Sequence, residues 1–133
     1  MNIKLSHAFL FVHDQDAALT FYRDALGFDV RTDATMDEMR WLTVSPPSQP
    51  DVEIGLLKVG PPTPATDLDT ISALLEKGSL NGIIFSTDDV DKTFEQVRAA
   101  GAEVMQEPID QPYGVRDCAF RDPSGNMVRI NQA

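Results

Sequence analysis

Two stretches of the chain share one order of apolar and polar positions. HAFLFVHDQDAALTFYRDALGFDV begins at His7 and NGIIFSTDDVDKTFEQVRAAGAEV begins at Asn81, and Gly27 of the first falls on Gly101 of the second, a shift of 74 residues. Each stretch has a short apolar run, then aspartates, then apolar residues at the spacing of one helix face. The glycine that closes each helical pattern suits the position after a helix, which often needs a positive φ angle. The pattern predicts a strand followed by a helix, present twice.

Three strand-like segments follow each of these helices. An aspartate is expected to cap each helix, either Asp14 or Asp16 in the first and either Asp88 or Asp89 in the second. The repeating unit is therefore βαβββ, and the predicted fold class is α+β. The predicted strands are Ala8–Val12, Phe28–Arg31, Met39–Val44 and Val52–Leu57 in the first unit, and Gly82–Phe85, Glu103–Gln106, Ala119–Arg121 and Met127–Asn131 in the second.

A linker over about residues 59–78 joins the two modules, which span about residues 3–58 and 79–132. It opens with the proline-rich stretch Gly60–Pro64 and continues as a short helix that Asp67 would cap and Gly78 would end. The linker is expected to be either a surface spacer or a lid over a site. At 133 residues with 42% hydrophobic composition, the chain is predicted to form one domain over residues 1–133.

Composition and charge limit the classes of partner. The formal net charge of −10 opposes binding to nucleic acid and to anionic membrane surfaces. No apolar run is long enough for a membrane span or a signal peptide, and the single Cys118 cannot form an intrachain disulfide. We expect a cytoplasmic protein. Phosphate-binding loops, dinucleotide-binding glycine motifs and paired metal-binding motifs do not occur in the sequence.

A family resemblance rests on LSHAFLFVHDQDAALTFYRDALGFDV, PYGVRDCAFRDPSGN and the duplicated unit. Together these features resemble the vicinal oxygen chelate superfamily, which includes glyoxalase I, extradiol dioxygenases, and fosfomycin and bleomycin resistance proteins. The resemblance implies that the two βαβββ modules form a half-open barrel whose concave face holds a small organic ligand or a divalent metal. It also implies a homodimer with sites built or completed at the interface.

The metal positions of the family can be matched to this chain one at a time. The resemblance places His7 at the first-strand metal ligand, Asn81 at its partner in the second module and Glu53 at a last-strand carboxylate. The Val-X-Ile pattern then aligns Arg129 with Glu53, although the 74-residue shift would align it with Gly55 instead. A guanidinium roughly 5 Å from a divalent ion would cost about 6–7 kcal/mol at an effective dielectric of 20. No cofactor is therefore expected, with a divalent metal on His7 and Glu53 as the weaker alternative.

Several other residues are candidates for the cavity. Arg129 is expected to face the same cavity as Glu53 and to form an ion pair with it that stands in for the metal. Trp41, Tyr113 and Arg116 are candidate ligand-binding residues, although Trp41 is more commonly a core residue and a surface loop is an equally ordinary role for the other two. Cys118 is expected to serve packing, and Asp122-Pro123-Ser124-Gly125 is expected to form a structural type I turn.

Three hypotheses for function follow. The first is a metal-free protein that binds a small organic molecule in an apolar, aromatic cavity, as the drug-sequestering members of the family do. The second is a lyase, isomerase or dioxygenase of the same family, either with a metal or with His7 as general base beside Arg129 as electrophile. The third is a dimeric accessory domain without a ligand. The sequence favours the first and does not identify the ligand.

Overall fold

A computed structural model describes residues 1–133 and contains the predicted βαβββ unit twice. The first module consists of β1 (His7–Val12), α1 (Gln15–Leu19) with a π-helical extension (Thr20–Ala25), β2 (Asp29–Met36), β3 (Met39–Ser45) and β4 (Glu53–Lys58). The linker contains a 3₁₀ turn (Ala65–Asp67) and α2 (Leu68–Glu76). The second module consists of β5 (Ile83–Thr87), α3 (Val90–Ala99), β6 (Glu103–Asp110), β7 (Arg116–Arg121) and β8 (Met127–Gln132).

The two modules have the same sheet topology. The strand orders are β1-β4-β3-β2 and β5-β8-β7-β6, with one parallel pair in each sheet, β1 with β4 and β5 with β8. The other neighbouring strands are antiparallel, and neither sheet closes on itself. The predicted α+β architecture of two modules in a half-open barrel is confirmed. No helix in the chain is both long enough and apolar enough to cross a membrane.

The edge strands β2 and β6 are longer than predicted. The sequence pattern ended them at Arg31 and Gln106, whereas hydrogen bonding continues to Met36 and Asp110. Nearly all residues of both strands are exposed or half-buried, so they lack the alternation of apolar and polar residues that marks a half-buried strand. Their pairing with β3 and β7 is therefore carried by backbone hydrogen bonds that the hydropathy pattern does not report.

The helix caps show that the internal repeat is not uniform. Asp14 accepts a hydrogen bond from the Ala17 backbone N–H at 3.0 Å, and Asp89 accepts one from the Lys92 N–H at 3.1 Å. These caps lie 75 residues apart, whereas Gly27 and Gly101, both at positive φ, lie 74 apart. The π-helical turn in the first helix holds one extra residue and accounts for the difference. In the linker, the expected Asp67 cap makes no side-chain hydrogen bond.

A single hydrophobic core draws residues from both modules. Strand alternation directs these residues toward the helices, and Cys118 and Phe120 of β7 are completely buried among them. Burial raises the pKa of the Cys118 thiol to about 11, which agrees with a packing role. The core residues are Leu10, Val12, Ala18, Leu19, Phe21, Tyr22, Leu42, Val44, Ile54, Leu56, Val90, Phe94, Val97, Cys118, Phe120, Val128 and Ile130.

The buried Asp122 carboxylate connects the turn between β7 and β8 to the first module. Its Oδ1 accepts hydrogen bonds from the backbone N–H groups of Ser124, Gly125 and Asn126 at 2.9, 3.0 and 2.9 Å. Its Oδ2 accepts from the Tyr22 hydroxyl at 2.8 Å and from the Asn126 amide at 2.9 Å. Burial and the neighbouring carboxylate raise the pKa of Tyr22 well above its ordinary value. The predicted turn is present, closed by the Gly125 N–H to the Asp122 carbonyl.

Replacing Asp122 is expected to destabilise the fold strongly. Asp122→Ala leaves buried donors on two modules without an acceptor and should lower the free energy of unfolding by about 3 kcal/mol or more. Tyr22→Phe removes one of the five hydrogen bonds and should cost only about 1 kcal/mol. Urea unfolding followed by circular dichroism measures both, with the exposed Asp51→Ala as control, expected within about 0.5 kcal/mol of wild type. Equal stability of Asp122→Ala and Asp51→Ala would contradict the role of Asp122.

Candidate functional site

Side chains that alternate away from the helices form two exposed surfaces, one on each sheet. We call the first the aromatic face and define it by His7, Phe9, Trp41 and Glu53. We call the second the polar face; it consists of Gln106, Gln111, Asp117, Met127 and Arg129. The core residues occupy the intervening positions on the same strands, so these faces lie on the opposite side of each sheet from the core.

Three rings form the centre of the aromatic face. The Phe9 ring meets Trp41 edge-on at 5.7 Å between centroids and stacks on His7 at 6.3 Å. Phe9 lies on β1, at one edge of the first sheet, and is 51% exposed, a large fraction for a phenylalanine. Its ring lies over Gly55 of β4, because a side chain at that position would collide with it. Beside Trp41 is a cavity of about 460 Å³, also lined by Ala34, Met36, Asp37, Met39, Pro61 and Pro62.

His7 and Glu53 lie side by side on the parallel strands β1 and β4. Their Cα atoms are register partners, and His7 Nε2 is 3.5 Å from Glu53 Oε2. The Thr43 hydroxyl donates to Glu53 Oε1 at 2.6 Å, and His7 Nδ1 lies 3.1 Å from the Ser6 hydroxyl. Both side chains are partly exposed, 36% for His7 and 24% for Glu53. The pair thus places an imidazole beside a carboxylate at the edge of an aromatic surface.

The polar face is organised around a buried carboxylate, Asp117, which is 1% exposed. The amides of Gln106 and Gln111 donate to its Oδ1 at 2.8 and 2.9 Å. Arg129 Nη1 lies 3.1 Å from its Oδ2 and also donates to Gln106 Oε1 at 3.1 Å. The other terminal nitrogen of Arg129, Nη2, has only the Met127 thioether as a partner, at 3.7 Å. Arg129 is 23% exposed and therefore keeps donor capacity toward the surface.

The polar face keeps Asp117 ionised. Burial alone raises the pKa of the Asp117 carboxyl, because it disfavours the charged form. The hydrogen bonds from Gln111 and Gln106 and the charge of Arg129 outweigh that effect, so the pKa lies below its ordinary value. Asp117 and Arg129 therefore form an ion pair in which the carboxylate is covered and the guanidinium is partly accessible.

The expected Arg129–Glu53 ion pair does not form within the chain. Arg129 is paired with Asp117, and Glu53 with His7 and Thr43, so each charge has a partner in its own module. The physical reason is proximity: Asp117 lies on β7, adjacent to the strand that carries Arg129, whereas Glu53 belongs to the other sheet.

The alignment of Arg129 with Glu53 is also wrong. In the first sheet, Gly55 is the register partner of Phe9, and in the second sheet, Arg129 is the register partner of Ile84. Arg129 therefore corresponds to Gly55 and not to Glu53. The positions equivalent to His7 and Glu53 are Gly82 and Met127. These two residues are in close contact, as shown by the collision that a Cβ on Gly82 would make with Met127. The 74-residue shift, which pairs Gly55 with Arg129, thus holds for the last strand. The same shift fails for the first strand of each module. These strands lie before the extra π-helical residue and are therefore 75 residues apart.

Consequently, only the first module has metal-binding side chains at the positions that bind a metal in the family. His7 and Glu53 offer a nitrogen and a carboxylate, but Gly82 offers no side chain and Met127 only a thioether, a soft ligand suited to Cu(I). No group of three or more His, Cys, Asp or Glu side chains is placed to hold a metal ion. The residues present do not form the usual divalent metal site of the family.

The remaining candidates lie away from the two faces. Asn81 is exposed and precedes β5 by two residues. Arg116 is turned toward α3, where it binds Asp91 at 2.8 Å, and it lies 3.5 Å from Asp110 at the end of β6. Tyr113 is 71% exposed in the turn between β6 and β7. Within the chain, the structure brings His7, Glu53 and Trp41 together, and it groups Arg129 with residues that the sequence analysis did not single out.

The sequence did not predict Phe9, Asp117, Gln106 and Gln111 as site residues. Strand alternation contained a signal for two of them, since Phe9 alternates with the apolar Leu10 and Asp117 with Cys118. A phenylalanine at an outward position and an aspartate inside a buried strand are both departures from the usual pattern. The glutamines carried no such signal, because they lie in the polar stretch at the sheet edge.

Comparisons with known proteins agree with the fold. A family model described as the glyoxalase/bleomycin resistance protein/dioxygenase superfamily matches residues 4–130. UcmS2, whose crystal structure is known, is 40% identical in sequence over 100% of this chain and 100% of its own, with a TM-score of 0.92. TnmS3, an antibiotic binding protein from Streptomyces sp. CB03234, is 31% identical over 98% of this chain and 97% of its own, with a TM-score of 0.77. The uncharacterized protein YurT of Bacillus subtilis (strain 168) is 32% identical over 124 residues, 92% of this chain and 94% of YurT.

The buried ion pair predicts a specific pH dependence. Because the pKa of Asp117 is lowered on folding, its contribution to stability is complete above its unfolded value near 3.9 and is lost as the pH falls through the folded value. Wild type should therefore be more stable than Asp117→Asn by a constant amount at neutral pH, and this difference should shrink below about pH 4. Urea midpoints of both proteins across the pH range measure it. A difference that stays constant or grows in acid would refute the assignment.

Proposed function

Because the chain belongs to the glyoxalase/bleomycin resistance protein/dioxygenase superfamily, we propose that it binds a small organic molecule with an aromatic ring system, without a metal. The observation that carries the proposal is the exposed ring cluster of His7, Phe9 and Trp41 beside a cavity. TnmS3, which shares 31% of its sequence with this chain, is an antibiotic binding protein. The proposed ligand is accordingly an antibiotic or a molecule of similar size and character.

The energetics of the aromatic face support binding rather than packing. A Phe ring left half exposed gives up part of the roughly 25 cal/mol per Å² that burial of apolar surface provides. A ligand that covers Phe9 and Trp41 would recover that free energy, and each edge-on or offset ring contact would add about 0.5–1.5 kcal/mol. The rings are already fixed against one another, so little side-chain entropy is lost when the ligand binds.

A homodimer would complete this site. The aromatic face and the polar face share no hydrogen bond or ion pair within the chain. Phe9 is 51% exposed on the aromatic face, and Ile84, the register partner of Arg129 on β5, is 59% exposed beside the polar face. Two copies related by a twofold axis could place the aromatic face of one against the polar face of the other, twice. The apolar residues along the edge strands, among them Met36 and Ile109, would also be covered in such an arrangement.

An enzyme is the second candidate, and the His7–Glu53 arrangement favours it. An imidazole 3.5 Å from a carboxylate, which is itself fixed by Thr43, has the parts of a general base. Its position beside the rings would let His7 reach a proton on a bound ligand, in a lyase or isomerase reaction. A family dioxygenase would in addition need metal ligands that Gly82 and Met127 do not supply.

The proposed function predicts saturable binding of an uncharged aromatic probe. The chain has one tryptophan, Trp41, so its fluorescence reports on the aromatic face directly. N-phenylnaphthylamine should quench Trp41 emission with saturation at one probe per chain. Phe9→Ala should weaken binding by about tenfold, since it removes a large part of the ring contact. Absence of saturable quenching in wild type would refute the proposal.

Two controls sharpen this experiment. Tyr113→Ala removes an exposed aromatic residue outside the face, and an equal loss in both variants would indicate unspecific surface adsorption instead of a site. Light scattering on the same samples should give twice the chain mass of 14.7 kDa. A monomer that still binds the probe would contradict the homodimer while sparing the aromatic face.

Metal analysis tests whether the chain functions without a metal. Because only two of the four family positions carry ligands for a transition metal, the purified protein should contain well under one equivalent of Zn, Ni, Mn or Fe per chain. Added metal should not raise its melting temperature, since a ligand that binds only the folded state would do so. Stoichiometric metal that is lost in a His7→Ala variant would reject metal-free binding and favour the enzyme.

A further inference from the structure

The polar face bears on the charge of the ligand that the proposed site accepts. An isolated arginine on a binding surface is a receptor for carboxylates and phosphates, because its guanidinium holds two oxygens in parallel. Arg129 is not isolated. One of its terminal nitrogens, Nη1, is occupied by Asp117 at 3.1 Å and Gln106 at 3.1 Å, so part of its donor capacity is already used within the protein.

The charge of Arg129 is also neutralised permanently. Asp117 is 1% exposed, so solvent screens its charge poorly, and two glutamine amides hold its other oxygen in place. A buried partner of this kind cannot move aside for a ligand anion, since that would leave a buried charge unpaired. What Arg129 retains is the hydrogen-bonding capacity of Nη2, which has only a thioether contact at 3.7 Å.

The other charges on the two faces do not restore a positive field. Glu53 is 24% exposed and contributes a negative charge beside His7 on the aromatic face. Arg121, at the end of β7, is paired with Glu103 at 3.2 Å and donates to the Gly125 carbonyl at 2.7 Å. The whole chain carries a formal net charge of −10. An anion entering the site would lose its hydration without meeting an unpaired cation.

We propose that Asp117 is the specificity-determining residue of the site: by holding Arg129 as a charge-neutral hydrogen-bond donor, it selects uncharged aromatic ligands that bear a carbonyl or ether oxygen and rejects carboxylates and sulfonates. This inference rests on the proposed function and deepens it by naming the charge class of the ligand. In this arrangement the rings of the aromatic face contribute affinity. Arg129 Nη2 contributes one directed hydrogen bond, and Asp117 sets the charge that the site tolerates.

A matched pair of probes tests the inference. N-phenylnaphthylamine and anilinonaphthalene sulfonate share one ring system and differ by the sulfonate, so the ratio of their dissociation constants isolates the effect of charge. In wild type the sulfonate should bind at least about tenfold more weakly. Asp117→Asn frees the charge of Arg129 and should shift the ratio toward the sulfonate by about tenfold, in a salt-dependent way.

Two further variants serve as controls. Asp69→Asn changes the net charge of the chain equally, at an exposed position on α2, and should leave the ratio at its wild-type value. The double variant Asp117→Asn with Arg129→Gln should abolish the gain in sulfonate affinity, because the freed cation is absent.

The outcomes distinguish the inference from the proposed function. A wild-type ratio near one, or tighter binding of the sulfonate, would overturn the inference whether or not the variants fold. An unchanged ratio in Asp117→Asn with native circular dichroism would overturn it too. A shift of equal size in Asp69→Asn would assign the effect to net charge and reject the role of Asp117. Failure of both probes to bind wild type would instead overturn the proposed function, and the inference with it.

Discussion

The buried Asp122 carboxylate is the constraint on which the arrangement of the two modules depends. It fixes the β7–β8 turn through three backbone N–H groups, and the Tyr22 hydroxyl attaches the first helix to the same oxygen pair. Asn126, held by this carboxylate, donates to the Phe11 carbonyl of β1 at 2.7 Å. Because β8 follows the turn directly, the position of Arg129 relative to the first sheet is set from this point. A charge that is buried and fully hydrogen-bonded is well suited to that task, since few alternative arrangements satisfy it.

The two sheet faces have diverged in chemistry while keeping one topology. The first carries stacked rings and a histidine–carboxylate pair, and the second carries an ion pair within a network of amides. At the positions equivalent to His7 and Glu53, the second module has Gly82 and Met127, so a metal bridging the two halves would find ligands on one side only. The charges of each face are balanced locally, by contacts between neighbouring strands. Such a surface recognises shape, ring contacts and single hydrogen bonds more readily than charge.

Much of the fold could be read from the sequence because the signals were local. Alternation marked β1, β3, β4, β7 and β8, and glycines at positive φ marked the helix ends. The site was harder to predict, because one extra residue in the π-helical turn makes the repeat shift 75 before the helix and 74 after it. Because of this one residue, the 74-residue shift matched His7 with Asn81, whereas the strand register matches His7 with Gly82. The counter-charge of Arg129 was missed for a different reason: the family alignment pointed to Glu53, whereas it is the pairing of β7 with β8 that brings Asp117 beside Arg129.

The Phe9 ring rests on Gly55, a residue with no side chain on the neighbouring strand. The Phe9 ring can lie this close to the sheet only because residue 55 has no Cβ atom. A methyl group at residue 55 would collide with the Phe9 ring and push it away from the sheet surface, while every residue that faces a ligand would keep its identity. Relatives with another residue at this position would hold the same rings at a different height above the sheet and so accept ligands of different thickness. The identity of residue 55 therefore sets the depth of the aromatic face.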